Sequence, residues 1–282
     1  TYYTEGGQSG ATMDGDVGGE RILVTRNRNR IESYLPGPPN SFRTDQPEVR
    51  LPFQVAKNRQ GQAVLHLDGQ SISLTPGQYT PWVRVSFPLA AGIKASGTCR
   101  FLLRRFDPRL ELYCTPVQID PDKPVMPISH PRVYSTYLSR LLGPFATLGL
   151  AEDTWALSEG VISEGAFLTQ VYDIHDERRR MLLDALRRVK RGLVACVFDA
   201  PDRVQHMFWR FMDRDHPAWV SNENGNEHAI RDMYVKMDQT LGELLEQIGD
   251  DTAVIVMSDH GFKPFRRGVD LNAWLLANGY LK

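Results

Sequence analysis

Two uninterrupted apolar runs, residues 193–198 and 253–257, constrain this chain more than anything else in it. Both are too short for a helix and apolar at successive positions, so neither has a wet face. That pattern predicts β-strands buried on both sides, as in a parallel sheet covered by helices. Before the first run, residues 177–191 set Met181, Leu182, Ala185, Leu186 and Val189 against a face of arginines. Between the runs, Ile230, Met233, Met237, Leu241, Leu244, Leu245 and Ile248 recur by threes and fours, which predicts an amphipathic helix over 228–248. A further helical period covers 134–142, and residues 271–281 close the chain with another. Helix, strand, helix, strand, helix is the order of a parallel α/β sheet.

The chain upstream reads differently. Residues 1–48 are rich in Gly, Pro, Asn and Arg, and they predict an irregular segment with one short strand near Arg21. Residues 49–120 carry short alternating runs at 63–67, 71–74, 82–87, 99–104 and 110–116, separated by turns such as Asp68-Gly69 and Pro76-Gly77. Such spacing without a helical period implies an antiparallel β-rich insertion. The expected organisation is thus an irregular segment (1–48), a β-rich module (49–120) and an α/β part (121–282).

With 282 residues, the chain is long enough to bury about three quarters of its unfolded surface, so no disulfide or metal is needed merely to hold it together. Its 33 basic and 34 acidic residues exclude a nucleic-acid binder that works by bulk charge. No apolar run approaches the roughly 20 residues of a membrane span. Cys99, Cys114 and Cys196 are odd in number, widely spaced and set among apolar residues, which predicts buried free thiols in a reducing, cytoplasmic compartment. The polar opening at Thr1, rather than Met, suggests a piece of a longer polypeptide.

Both apolar runs end in acid-plus-imidazole clusters. Asp199, Asp202 and His206 follow the first, and Asp259 and His260 follow the second. In a parallel α/β sheet the carboxyl ends of the strands share one rim, where ligands bind. Carboxylate oxygen with imidazole nitrogen suits zinc, or manganese where oxygen dominates. A spacing of four lets Asp202 and His206 reach one ion if the segment is helical. Asp259 and His260 are adjacent and need an irregular backbone, for which Gly261 supplies the freedom.

The order of these elements resembles the type I phosphodiesterase/nucleotide pyrophosphatase family, within the alkaline phosphatase superfamily. The resemblance rests on Phe198-Asp199-Ala200-Pro201-Asp202 with His206, and on Tyr234, Asp238, Leu241 and Gly242 ahead of Ser258-Asp259-His260-Gly261. Leu271-Asn272, Trp274 and Asn278-Gly279-Tyr280 extend it, as do Ile128-Ser129-His130-Pro131 and Glu152-Asp153-Thr154. It covers about residues 120–282 and is carried best by large bacterial members. It implies an alkaline-phosphatase-like parallel sheet and two divalent ions, Zn²⁺ or Mn²⁺, with Asp202 and His206 on one ion and Asp259 and His260 on the other. The implied activity is hydrolysis of phosphate mono- or diesters at that two-metal site, on a small phosphorylated substrate. No Thr or Ser of this chain matches the family's nucleophile, which is expected outside it, N-terminal, with the remainder of the catalytic domain. By itself the chain is therefore expected to be inactive.

Other residues and readings compete. His130, before Pro131 in a turn, is a candidate to line a substrate cleft. Trp209, Phe208 and Phe211 at helical spacing read as core, and His216 and His228 as ordinary surface histidines. Cys114-Thr115-Pro116 with Gln118 echoes a sulfatase motif but lacks its arginine. Two alternatives to the phosphoesterase stand: a metal-dependent phosphosugar or phosphoglycerate mutase of the same superfamily, and a non-catalytic binding module.

Overall fold

Alternation of apolar and polar side chains builds the first part of the molecule. The computed structural model describes residues 1–6, 19–42, 48–219, 225–264 and 266–281, and the chain divides into two units, Thr1–Phe198 and Asp199–Lys282. In the first unit, β1 (Tyr2–Thr4), β2 (Arg21–Leu23), β3 (Arg26–Asn27) and β4 (Arg30–Pro39) precede β5 (Glu48–Lys57), β6 (Ala63–Leu67) and β7 (Gln70–Leu74). Then come β8 (Val83–Ala90), β9 (Ile93–Cys99), β10 (Phe101–Arg105), β11 (Glu111–Cys114) and β12 (Gln118–Ile119). They form three sheets, ordered β3-β4-β5-β6-β7, β12-β9-β8 and β10-β11-β1-β2. Every pairing is antiparallel except that of β1 with β2.

The antiparallel module is present, but the expectation of an irregular 1–48 is corrected. β4 takes up Arg30–Pro39 and pairs along β5 from Arg30↔Ala56 to Pro39↔Glu48. Its prolines are tolerated because β3, on its other side, reaches only Arg30 and Ile31, and among the described residues nothing else pairs with that edge. Gly37 serves close approach: a Cβ there would stand 2.5 Å from the Phe87 ring and 2.7 Å from the Val49 carbonyl. One core cluster joins the sheets, with Tyr3, Ile31, Leu35, Val55, Leu65 and Phe101 fully buried.

The N-terminal strands are also held by charge. Arg26 donates from Nη2 to Glu5 at 2.6 Å and to the Phe106 carbonyl at 2.5 Å, and it covers the Phe106 ring at 4.5 Å. Glu5 accepts a further bond from the Leu110 N–H at 2.6 Å. The Arg26 hydrogen bonds, helped by Leu110, hold the Glu5 carboxyl below its ordinary 4.5 although burial opposes them. Asp107, bonded first to Lys57 and then to Arg26, is shifted the same way. A lowered folded-state pKa stabilises the protein above the unfolded value and loses that contribution as pH falls through the folded one. Urea midpoints of the native protein are therefore expected to fall as pH drops below about 4.5, the ordinary glutamate value. Glu5→Gln is expected to lower stability at pH 7 by about 1.5–3 kcal/mol, the range for hydrogen bonds to a charged group, and to flatten that acid limb. An acid limb identical in the variant would show that Glu5 has no such role.

Helices α1 (Val133–Leu142), α2 (Thr154–Ser158) and α3 (Glu164–Arg188) complete the first unit. Asp153 caps α2, accepting the Ala156 N–H at 2.9 Å, while its other oxygen takes the Tyr113 hydroxyl at 2.7 Å. Helix α3 begins well ahead of the predicted 177 and lies on the β-rich part through polar anchors. Glu177 accepts the Trp82 indole N–H at 2.7 Å and the Ala146 N–H at 2.8 Å, and Asp173 pairs with Arg100 at 2.7 Å.

The second unit contains α4 (Ala200–Met212), a 3-10 turn (Asn226–His228), α5 (Ala229–Leu245) and α6 (Leu271–Ala277). Helices α4 and α5 pack together through Val204, Phe208, Ala229, Ile230 and Met233, all buried. Among the described residues no helix is long and apolar enough to cross a membrane.

The two apolar runs do not behave as predicted. Residues 193–198 and 253–257 belong to no sheet, and Leu193, Ile255 and Met257 are 88%, 81% and 84% exposed. The chain is a mixture of α and β structure, but the expected alkaline-phosphatase-like parallel sheet is not formed among the described residues. The physical reason is that a strand buried on both faces needs neighbours along both hydrogen-bonded edges. No described strand pairs with either run. The same correction applies to Cys196, which is exposed on the first run, whereas Cys99 and Cys114 are buried. The lower half of the α5 stripe follows suit: Leu245 is 52% exposed.

Candidate functional site

Helix α4 begins where the sequence makes it begin. Pro201 sits in the first turn, where its missing N–H costs nothing, and Asp202 places a carboxylate near the positive end of the helix. Because the segment is helical, the spacing of four brings His206 Nε2 to 3.4 Å from Asp202 Oδ1. The second cluster approaches the same carboxylate from a different segment: His260 Nε2 stands 3.8 Å from Asp202 Oδ1 and 3.9 Å from Asp259 Oδ1. Both carboxylates therefore lie within 3.9 Å of a single imidazole nitrogen. Arg203 faces the other Asp202 oxygen at 3.8 Å.

The irregular backbone expected around Gly261 is present, since residues 258–264 belong to no helix or strand. Within it, Ser258 donates to the His260 carbonyl at 2.5 Å, and His260 Nδ1 lies 3.0 Å from the Gly261 carbonyl. A carbonyl only accepts, so the proton of the neutral ring sits on Nδ1, and Nε2 is the nitrogen left to bind a cation placed beside the two carboxylates.

Phe262 organises the aromatic side of the site, a part for which the sequence reading assigned it no role. His206 meets its ring edge-on at 4.7 Å, and Trp209 stacks on it at 5.6 Å with planes 22° apart. Trp209, read as core, is corrected: it is only partly buried and lines an open cleft of about 450 Å³ together with His206, His260, Phe262, Arg210 and Lys263. The signal for it was available, because 202, 206 and 209 share one face of a helix. His216, read as an ordinary surface histidine, lines this cleft too. Nothing in its local sequence announces that. His130 is exposed, on the turn leading into α1 in the other unit.

One pair of donors, Asp202 and His206, has the chemistry and the spacing that a zinc-type ion requires. With bonds of about 2.0–2.1 Å, atoms bound to one tetrahedral ion stand roughly 3.3 Å apart, close to the 3.4 Å between Asp202 and His206. The set is short in number: among the described residues, no group of three or more His, Cys, Asp or Glu is arranged to hold one ion.

No curated protein and no solved structure matches the chain. A family model described as Type I phosphodiesterase / nucleotide pyrophosphatase matches residues 129–282, a span that contains all of these Asp and His residues and more than half of the chain. By that match, the chain belongs to the type I phosphodiesterase/nucleotide pyrophosphatase family of hydrolases.

Proposed function

We propose that this chain is the metal-binding part of a phosphoesterase that cleaves phosphate mono- or diesters with two divalent ions, zinc or manganese. The observation that carries the reading is the meeting of Asp202 with His206 and His260, two imidazoles from separate segments, beside Asp259. Asp202 and His206 would hold one ion and Asp259 and His260 the other. Paired ions roughly 4 Å apart stabilise charge on a transferring phosphoryl group and on the oxygens that attack and leave it. The residues of this chain then have three tasks. The carboxylates offset the positive charge, the fixed His260 tautomer keeps a nitrogen lone pair available, and Phe262 with Trp209 holds the His206 ring in place.

The same proposal covers the architecture. In this reading the exposed runs 193–198 and 253–257 become strands of an alkaline-phosphatase-like sheet only when joined by further strands, and by a nucleophile, from chain outside these 282 residues. Exposed apolar stretches of this kind ordinarily mark a surface that is covered in the working molecule. The test is paired. The chain is expected to take up Zn²⁺ or Mn²⁺ in a calorimetric titration yet leave nitrophenyl phosphate esters uncleaved. Absence of saturable metal uptake refutes the two-metal reading. Hydrolysis that disappears in Asp259→Ala would place the nucleophile within this chain.

A further inference from the structure

The three histidines of the cleft are not equivalent, and their backbone partners say how they differ. In the neutral His260 ring, Nδ1–H donates a hydrogen bond to the Gly261 carbonyl, which leaves Nε2 as the nitrogen that can bind a cation. His216 is arranged the opposite way: the Ala218 backbone N–H donates to its Nδ1 at 3.1 Å. A backbone N–H can only donate, so Nδ1 must be the bare nitrogen and the proton of the neutral ring sits on Nε2. Such a ring offers N–H, which suits an anionic oxygen and not a cation. The turn that carries His216 is fixed by its own backbone. The His216 N–H donates to the Asp213 carbonyl at 3.0 Å, the Trp219 N–H donates to the His216 carbonyl at 2.8 Å, and the Asp213 carboxylate takes the Asp215 N–H at 3.0 Å. Arg210 and Lys263 line the same cleft and give it positive charge beyond the candidate metal ligands.

From this geometry we infer that His216 is a substrate-binding residue that donates an Nε2 hydrogen bond to an oxygen of the bound phosphate ester, and that it is not a metal ligand. The inference deepens the phosphoesterase reading and rests on it for the identity of the ligand. A group poised this way stabilises charge without having to reorient when substrate arrives.

The test uses the full 282-residue chain, native and as His216→Ala and His216→Gln, titrated with Zn²⁺ and then with phenylphosphonate, which cannot be hydrolysed. Glutamine keeps an N–H donor at the position. Zinc affinity is expected to stay within about twofold in both variants. Phenylphosphonate affinity is expected to fall about tenfold or more in the alanine variant, the scale of a hydrogen bond to a charged group, and to be largely restored by glutamine. Histidine ¹⁵N shifts of the native protein are expected to show His216 protonated on Nε2. A loss of zinc affinity in His216→Ala would make it a ligand and overturn the inference. So would an unchanged phosphonate affinity in both variants, or no phosphonate binding by the native chain. If the native chain takes up no zinc, the two-metal reading fails separately, and the same comparison made in EDTA still decides the role of His216.

Discussion

Asp202→Ala is expected to lower the affinity of the chain for zinc by more than about 100-fold, while Asp259→Ala lowers it less. Removing a group that merely supports a metal ligand costs 10–100-fold in affinity, so loss of a ligand itself should exceed that range. The ranking of the two aspartates follows from their surroundings. Asp202 has a side chain 31% exposed and faces two imidazoles and a guanidinium. Asp259 is 91% exposed and has one imidazole beside it. With Asp202 gone, the Nε2 atoms of His206 and His260 lose the anion that makes their neighbourhood suitable for a dication. Folding should barely notice, because an acid in the first turn of a helix contributes only about 0.3–1 kcal/mol through the helix dipole. Calorimetric zinc titration and a urea melt of the metal-free protein separate the two effects. Equal losses for both aspartates would remove the basis for the ranking, and an unchanged affinity in Asp202→Ala would remove Asp202 from the site.

What could be read from the chain alone depended on whether the information was local. The α5 stripe from Ile230 to Leu245, the turn at Asp68-Gly69 and the four-residue gap between Asp202 and His206 are local, and the structure contains the helix, the hairpin and the pair. The fate of 193–198 and 253–257 is not local. Their composition says what environment they require, but not whether neighbours are present to provide it. β4 was hidden for a different reason. Pro36, Pro38, Pro39 and Gly37 ordinarily signal a turn, yet here the prolines use an open strand edge and the glycine makes room for Phe87. The cleft was half legible. A helical wheel drawn from Asp202 and His206 leads to Trp209, whereas His216 and Phe262 reach the site along irregular backbone, whose course no periodicity records.

Phe208→Ala is expected to destabilise the second unit by about 3–5 kcal/mol, the usual cost of truncating a buried phenylalanine. Helix α4 has two faces with distinct work. Val204, Phe208 and Phe211 are 0%, 0% and 8% exposed and pack inward, with the Phe208 and Phe211 rings 5.6 Å apart. Asp202, His206 and Trp209 lie two residues out of phase, on the opposite side. The inward face thus fixes the register in which the outward face meets His260. This unit has little reserve, since its buried apolar residues among those described are Ala200, Val204, Phe208, Phe211, Ala229, Ile230 and Met233. A loss of that size is a large part of the 5–15 kcal/mol that holds a whole domain together. Zinc should not repair it fully. A ligand at 100 times its dissociation constant stabilises by about 2.7 kcal/mol, less than the cavity costs. The variant should therefore show weakened zinc uptake although every proposed ligand is intact, together with a lowered urea midpoint that saturating zinc raises but does not restore. A midpoint equal to that of the native protein would mean that α4 is held in place by something other than this core.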